Sequence, residues 1–413
     1  MKSLFFIVAR SMRQHLLSTI VTIVSAGLAS GLVMSVFTVS EQSKTAFTGG
    51  DIGYDAVLGA KGSELQLVLN AVFHLETSPG NIPWSLYEEV KSRGDVRYAI
   101  PYAVGDNLYG YRIVGTTTEI FDTFEFQDGR QFEFADGNAF DDMRMEAVVG
   151  SVVAETLDLE VGHTFRPFHG LQYLPGQAPH EELYVITGVL EPTNTANDRV
   201  IWIPIEGIFR MEGHYVAGGT KQVERGMAEI PNEWKEVSAV MIKYTNPVRG
   251  KFMQDEVRRG TQATLAWPIA NVLGIFFQKM GWITRVLIYV AYLVVIVAGF
   301  GLLASIYNTM NERRREFAIL RALGARRSTV FSVIVLEAGT IAVLGSLLGY
   351  AVYGAILVGS AQVIRDQTGV VLEVGAAHPA LLWTPVGMAV VGALAGVFPA
   401  IKAYSTDVAR TLA

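Results

Sequence analysis

The stretch that decides the fold is NERRREFAILRALGARR, residues 311–327, which stands between two long apolar runs. It carries six arginines against two glutamates. So many charged side chains are energetically costly in the hydrocarbon core of a membrane, and an excess of arginine marks the cytoplasmic side. Four apolar residues fall at helical spacing and give a short helix one face to bury: Phe317, Ile319, Leu320 and Leu323. The pattern predicts a coupling helix that joins a membrane protein to a groove in a cytosolic partner.

Four apolar runs surround this segment, and each approaches the ~20 residues that a helix needs to cross the hydrocarbon core. The first run lies within 1–40 and follows the basic residues Lys2, Arg10 and Arg13, so we expect a cytoplasmic amino terminus. A cleaved signal peptide is the alternative, but the run is longer than the apolar part of such a peptide. The other three predicted spans are 285–310, 329–358 and 381–401.

Alternation of sides from a cytoplasmic start predicts the topology of the whole chain. It places 41–280 and the loop 359–380 outside, and it places the coupling helix and the tail of the 281–413 membrane domain inside. The distribution of arginine and lysine agrees at each connection. We therefore expect an α-helical membrane protein with four transmembrane helices and a large extracytoplasmic domain.

The composition excludes several classes of function. Half of the residues are hydrophobic, 17% are charged, and the formal net charge is −6, so no basic surface suggests a nucleic acid partner. The chain has no cysteine and no GxxxxGK[ST] phosphate loop, so we expect neither thiolate metal ligands nor a nucleotide held by this chain. No hydrolase motif is present either. We expect no catalytic residue and no bound cofactor.

The segment 41–280 reads as an α/β domain. Runs rich in β-branched residues predict strands, and two amphipathic runs that end at Gly94 and Gly260 predict helices. Strands occur both before and after the middle of the segment, so we expect two subdomains: 41–115 with 236–280, and an inserted 116–235. The apolar stretch 65–75 is too short to span a bilayer. It fits either the core of this domain or a surface on the outer leaflet or in a dimer gap.

Polar and small residues within the spans have their own predicted roles. Glu337 is the lone carboxylate in its span and lies near the inner interface, where an arginine of the coupling segment is the expected partner. A proton-relay role lacks a second acid. Glycines four residues apart predict close helix packing within the bundle or between two copies: Gly27, Gly31, Gly345, Gly349, Gly392 and Gly396.

Four of the seven histidines lie in the outer domain between positions 163 and 214. Their spacing fits neither a helical pair nor a compact zinc motif. We therefore expect separate loop or surface histidines and no metal site: His163, His169, His180 and His214.

Motifs along nearly the whole chain resemble the MacB/FtsX/LolC-type permeases of the mechanotransmission class of ABC transporters. The opening IVARSMRQHLLSTIVTIVSAGLASG is similar to the start of that family. MEAVVGSVVAETLDLEVGHTF and YVITGVLEPTNTANDRVIWIPI resemble its periplasmic core domain. NERRREFAILRALGARRSTVFSVIVLEAGTIAVLGSLLG resembles its coupling helix and third span. The stretch 55–84 departs from the family pattern.

The resemblance implies a permease in the bacterial inner membrane, with both termini cytoplasmic and a periplasmic α/β domain. Two copies of a cytosolic ATPase would bind ATP and Mg²⁺, and two permease copies would form a homodimer or heterodimer. The residues expected to dock into the ATPase are Glu316, Phe317, Ile319, Leu320, Arg321, Leu323 and Gly324. All of them except Ile319 and Leu323 match the family's motif. A lipoprotein, a lipid, an amphiphile or a peptide would be the cargo, with a periplasmic adaptor or binding protein as a further partner. The alternatives are a regulator of a cell-wall hydrolase or sensor, and an accessory to periplasmic metal handling.

Overall fold

The computed structural model describes residues 2–48, 52–126, 129–211, 214, 230–372 and 377–404. The chain divides into two units. One unit holds 1–43, 280–363 and 373–413 and is here named the helix bundle. The other holds 44–279 and 364–372 and is here named the α/β domain.

Helices occur in both units. In chain order they are α1 (Lys2–Gln14), α2 (Leu16–Thr48), α3 (Glu64–Ala71), α4 (Trp84–Lys91), α5 (Glu119–Thr123), α6 (Ser151–Leu157), α7 (Ile205–Arg210), α8 (Arg249–Arg259), α9 (Ile269–Glu312), α10 (Arg314–Ala322), α11 (Arg327–Thr368) and α12 (Ala380–Tyr404). All strands in the described part of the chain lie in the α/β domain: β1 (Ala56–Ala60), β2 (Ile82–Pro83), β3 (Val96–Leu108), β4 (Tyr111–Thr116), β5 (Phe134–Gly137), β6 (Glu146–Val149), β7 (Thr164–Phe165), β8 (Phe168–His169), β9 (Tyr184–Leu190), β10 (Val200–Pro204), β11 (Glu236–Val237), β12 (Ala239–Tyr244) and β13 (Ala263–Ala266).

Among the described residues, four helices are long and apolar enough to cross a membrane: α2, α9, α11 and Ala380–Lys402 of α12. The predicted number of spans is therefore confirmed. All four helices extend beyond the predicted spans, α9 and α11 by the most residues. Helix α9 begins at Ile269, and its 44 residues would extend about 66 Å at 1.5 Å per residue, about twice the hydrocarbon thickness. Helix α11 continues to Thr368 and occupies part of the predicted 359–380 loop.

The glycines predicted from four-residue spacing lie at two crossings within the bundle. A Cβ added at Gly31 would meet Val352 Cβ at 2.6 Å and Gly349 O at 2.8 Å, where α2 crosses α11. A Cβ at Gly392 would meet Ala342 Cβ at 2.4 Å, where α12 crosses α11. Small residues allow these backbones to approach closely, which favours helix association in lipid.

The α/β domain is built on one mixed sheet with the main order β13-β1-β12-β3-β4-β10-β6-β9-β5, while β7 and β8 pair at its side with β9 and β3. Strands β4 and β10 are parallel, as are β6 and β9, and the other neighbouring pairs are antiparallel. The strands predicted at 111–118, 182–190, 199–205 and 238–245 are confirmed. The strand, helix and strand predicted over 146–165 are β6, α6 and β7.

The two predicted subdomains share this sheet. In the main order, strands of the 41–115 and 236–280 parts lie on one side of β4 and strands of the 116–235 part lie on the other, but β8 of the 116–235 part pairs with β3, and β2 pairs with β11 in a separate two-stranded sheet. A continuous sheet joins them, so the division stays a prediction. Helix α8 is followed directly by Gly260 as predicted, whereas α4 ends at Lys91, short of Gly94.

The apolar stretch 65–75 belongs to the core of the α/β domain. It forms α3, whose N-terminal N–H of Gln66 is capped by the Ser63 side chain. Leu67, Val68 and Ala71 are buried against the aromatic core around Trp202. The core interpretation is therefore correct for most of this stretch, because its apolar side chains are already covered by the chain itself.

Candidate functional site

The coupling segment is anchored to the bundle through Arg313, the residue between α9 and α10. This side chain is 6% exposed. Its Nη1 donates to Glu337 Oε2 at 3.3 Å and to Ser11 Oγ, and its Nε donates to Glu316 Oε2 at 3.2 Å. Ser11 in turn donates to Glu337 Oε1 at 2.5 Å. Three elements, α1, α10 and α11, therefore meet at one buried ion pair.

Glu337 is thus paired with an arginine of the coupling segment, as the sequence predicts. The carboxylate is buried at 5% exposure, and both of its oxygens accept a hydrogen bond. A buried charge that loses its partner is strongly destabilising, whereas a paired and hydrogen-bonded one is tolerated. The network therefore fixes the base of α10 to the membrane helices.

Helix α10 turns part of its apolar face into the bundle. Phe317 is 7% exposed, packs beneath the Arg313 guanidinium at 4.9 Å from ring centroid to Cζ, and joins the bundle core with Val330 and Ile334. Leu320 packs against the same core. Phe317 is covered by this core and Leu320 is partly covered, so fewer of the four apolar residues are open to a partner than helical spacing indicates. Their docking into an ATPase stays a prediction.

The opposite side of α10 remains open. Ile319 is 46% exposed and Leu323 is 81% exposed. Glu316 and Gly324 are also exposed, while Arg321 is half-buried. Gly324 ends the helix with φ +98°, and its N–H donates to Arg321 O at 3.1 Å, so a glycine suits this position. We name Glu316, Ile319, Leu323 and Gly324 the docking face.

A second polar cluster lies in the α/β domain and was not predicted. Asp106 Oδ1 lies 3.5 Å from His169 Nδ1, 3.2 Å from His180 Nε2 and 3.1 Å from His214 Nε2. His169 Nδ1 and His214 Nε2 are 3.3 Å apart. The four ligand atoms all lie within 4.8 Å of one another. We name these four residues the histidine cluster.

The sheet places these side chains. Pairing of β3 with β4 shifts register between Val104 and Asp106, a bulge that redirects the following side chain. On the other edge of β3, Asp106 is directly opposite His169 of β8. His180 is held nearby because its N–H donates to Pro167 O at 2.8 Å. Residues distant in sequence therefore converge on one buried carboxylate.

The cluster perturbs the titration of its own groups. Burial by itself would raise the pKa of Asp106, but hydrogen bonds from the three imidazoles outweigh burial and hold the pKa well below its usual range. The hydrogen bond to Asp106 raises the pKa of His169 and of His180. The carboxylate therefore stays ionised and available to a cation.

The expectation of separate loop histidines is wrong for His169, His180 and His214. His163 stays outside the cluster and accepts a hydrogen bond from the Glu160 N–H at 3.2 Å. The spacing of these histidines along the chain does not predict the cluster, because the pairing of β3 with β8 brings residues together that are distant in sequence. Asp106 carried none either, since it stands in a mostly apolar strand with a single neighbouring asparagine.

Two family descriptions match the chain. The MacB-like periplasmic core domain matches residues 17–259, and the FtsX-like permease C-terminal domain matches residues 288–408. Together they cover most of the α/β domain and most of the four spans, and they leave 260–287 unmatched.

Individual relatives agree with these matches. An uncharacterized ABC transporter permease of Methanocaldococcus jannaschii is 21% identical over 314 residues, which is 74% of this chain and 70% of the relative. A macrolide export ATP-binding/permease protein MacB of a Shewanella species is 22% identical over 346 residues, covering 81% of this chain. The match spans 47% of the length of that MacB relative.

Solved structures with similarity include two outer domains. One is the periplasmic region of MacB from Actinobacillus actinomycetemcomitans. Its alignment covers 55% of this chain and 94% of the MacB region, at 8% identity and a TM-score of 0.33. The extracellular domain of the noncanonic ABC-type transporter YknZ covers 51% and 97%, at 12% identity and a TM-score of 0.30. Because the MacB-like family match alone covers more than half of the sequence, the chain belongs to the MacB/FtsX family of ABC transporter permeases.

Proposed function

We propose that this permease converts ATP hydrolysis by a separate cytosolic ATPase into movement of its α/β domain on the far side of the inner membrane. Both termini and α10 would be cytoplasmic, and the α/β domain would be periplasmic. Two permease copies and two ATPase copies would form the working assembly, with ATP and Mg²⁺ held by the ATPase.

The observation that carries this proposal is the construction of α10. One side of the helix is fixed to the bundle through Arg313 and Phe317, and the other side exposes Ile319 and Leu323. Exposed large apolar side chains on a helix between two membrane spans suit a groove in a partner protein. A force on the docking face would pass to α1 and α11 through the network of Ser11, Arg313 and Glu337.

Relatives support export or extraction as the task. MacB and PvdT relatives are named for export of macrolides and of pyoverdine. For this chain we propose a lipoprotein, lipid, amphiphile or peptide as cargo, worked on from the periplasm by mechanotransmission. The larger relatives carry an ATP-binding part in the same polypeptide, and here that part is assigned to the partner.

Capture of the ATPase tests the docking face. The full chain with an affinity tag is purified from its native host membranes in ADP, and co-purified proteins are identified by mass spectrometry. We expect a protein with a GxxxxGK[ST] loop in amounts near one per permease, and at least tenfold less with the double change Ile319→Glu and Leu323→Glu. Asn311→Glu with Ser328→Glu is the matched control, since this pair also adds two negative charges, at exposed residues before and after α10. Equal capture by the double variant and the control contradicts docking through this face.

Cysteine labelling tests the topology, and the cysteine-free chain needs no background removal. Lys61→Cys reports on the α/β domain and Arg314→Cys on α10, and both residues are exposed. We expect a membrane-impermeant maleimide to label the first in spheroplasts and the second only after lysis. Labelling of both residues from the same side of the membrane would contradict the proposed transmission of movement across it.

A further inference from the structure

The atoms of the histidine cluster have the spacing of a metal coordination shell. Zinc bonds of 2.0–2.1 Å in a tetrahedron place neighbouring ligand atoms about 3.3–3.4 Å apart. The distances from Asp106 Oδ1 to the three imidazole nitrogens are 3.5, 3.2 and 3.1 Å, and His169 Nδ1 lies 3.3 Å from His214 Nε2. Four edges of the cluster therefore match a tetrahedron that one ion would fill.

Hydrogen bonding alone accounts poorly for this arrangement. A carboxylate oxygen offers two lone pairs, and here three imidazole nitrogens converge on Asp106 Oδ1. Asp106 Oδ2 is buried and has no hydrogen-bond partner among the described residues. A cation at the centre would take one lone pair from Oδ1 and one from each neutral imidazole.

The orientation of the rings agrees with a common centre. The three imidazole centroids lie 5.2 to 5.6 Å apart, and each pair of rings is inclined by 73° to 77°. Parallel stacked rings would not direct their nitrogens to one point. The edge-on arrangement lets all three nitrogens face Asp106.

The donor set selects the class of ion. Three imidazole nitrogens and one carboxylate oxygen suit Zn²⁺ and its neighbours in the first transition row. Calcium and magnesium prefer oxygen ligands throughout. We infer that Asp106, His169, His180 and His214 form a binding site for one divalent transition-metal ion of the Zn²⁺ class.

The site is pre-formed on one side and open on the other. Asp106, His180 and His214 have side-chain exposures of 0%, 7% and 11%, whereas His169 is 63% exposed. His169 and His214 line a cavity of about 300 Å³ that Glu236 also lines. The ion would enter from this cavity, with His169 as the ligand nearest to solvent.

The number of ligands points to binding and not to hydrolysis. Catalytic zinc sites hold the ion with three protein ligands and keep a water position open, while four protein ligands close a tetrahedral shell. The bound ion would link β3 and β8 to His180 and His214. Metal would therefore stiffen this edge of the sheet, an effect that does not depend on the ATPase coupling proposed above.

Metal titration of the full-length protein in detergent tests the inference. The chain carries an affinity tag without histidines and is first stripped with chelator. Zn²⁺ is then titrated in competition with a chromophoric chelator, and Co²⁺ is added separately to record its visible d–d bands. We expect one Zn²⁺ per chain and the intense Co²⁺ bands of a tetrahedral site.

Variants assign the ion to the cluster. Asp106→Asn, His180→Ala and His169→Ala should each weaken Zn²⁺ binding roughly 100-fold, the upper range seen even for outer-shell changes. His163→Ala is the matched control, because His163 is in the same domain outside the cluster, and its affinity should equal that of the wild type. The exposed His169 makes its variant the one that least disturbs folding, and the native circular dichroism spectrum verifies this.

Three results would overturn the inference. Wild-type protein that binds no Zn²⁺ above the level of the Asp106→Asn variant would do so. Equal Zn²⁺ affinity of the His169→Ala and His163→Ala variants would do so as well. Weak octahedral Co²⁺ bands would show that the ion is not held by these four ligands. None of these measurements involves the ATPase, so they leave the coupling proposal to its own tests.

Discussion

The helix bundle and the α/β domain each bury a carboxylate, and the two carboxylates differ in their partners. Glu337 meets a guanidinium and a hydroxyl. Asp106 meets three imidazoles. Arginine has no lone pair to offer and stays charged, so the bundle network is complete in itself. Imidazoles carry lone pairs that can converge on an ion. The kind of partner therefore distinguishes the two sites. The network of Ser11, Arg313 and Glu337, here named the brace, holds helices together, whereas the histidine cluster can bind a ligand.

The largest effect is expected from breaking the brace. Glu337→Ala leaves Arg313 buried and without its carboxylate in the bundle, which should cost about 3–5 kcal/mol of stability. The measurement is thermal unfolding of the purified chain in detergent. Glu316→Ala is the control, because Glu316 also contacts Arg313 but its side chain is 49% exposed, and that change should cost less than about 1 kcal/mol. Similar losses in both variants would mean that the buried pair is no brace.

The histidine cluster should respond to a ligand, in contrast to the brace. At a free Zn²⁺ concentration of 100 times the dissociation constant, binding raises the free energy of unfolding by about 2.7 kcal/mol. Thermal unfolding of the full chain should rise accordingly with Zn²⁺ and stay unchanged with Ca²⁺. The Glu337→Ala variant should keep this response and the His180→Ala variant should lose it. If Zn²⁺ raised the unfolding temperature of the His180→Ala chain as much as that of the wild type, the histidine cluster would not be the site of the ion.

Packing in the bundle gives the next effect. Gly31→Ala places a Cβ 2.6 Å from Val352 Cβ and 2.8 Å from Gly349 O, so the helices must separate. Overpacking of this kind costs about 1–3 kcal/mol. Gly354→Ala on α11 is the control, since a Cβ there meets no atom within 4 Å. Thermal unfolding in detergent should separate the two variants, and equal melting temperatures would show that this crossing is looser than described.

Much of the bundle could be predicted from sequence because lipid imposes simple rules. An apolar run of sufficient length predicts a span, and a lone carboxylate near arginines predicts an ion pair. The sequence could not show which face of α10 packs against the bundle and which face stays exposed. Helical spacing shows that Phe317 and Ile319 are on a short helix, but only the position of α11 decides that Phe317 is covered and Ile319 is not.

The histidine cluster escaped prediction for a different reason. Metal motifs are recognised when ligands lie on one helix or one turn, and here Asp106 and His180 are separated by 74 residues. Register between β3 and β8 and a bulge after Val104 bring them together. Such long-range pairing leaves no local spacing, so sequence alone predicted loop histidines.

A further histidine of the α/β domain sharpens the contrast with the cluster and has the smallest expected effect. Both ring nitrogens of His74 are buried, and the ring packs near Tyr102 and Trp202 with centroids 6.4 and 6.0 Å away. Burial and the nearby Arg112 lower the pKa of His74 to about 3. The folded pKa lies below the unfolded one, so titration of His74 has no effect on stability above about pH 6.5, where the ring is neutral in both states, and lowers the stability as the pH falls below that value.

Between about pH 7.5 and pH 5.5 the wild type should therefore lose about 1.4 kcal/mol more stability than His74→Asn. Asparagine tolerates the left-handed backbone at this position, where φ is +56°. Both chains keep the histidine cluster, so the difference between their pH profiles isolates His74. Chelator in both samples removes any metal contribution. Parallel profiles would contradict the burial of His74, because they would show that its ring is solvated when the chain is folded.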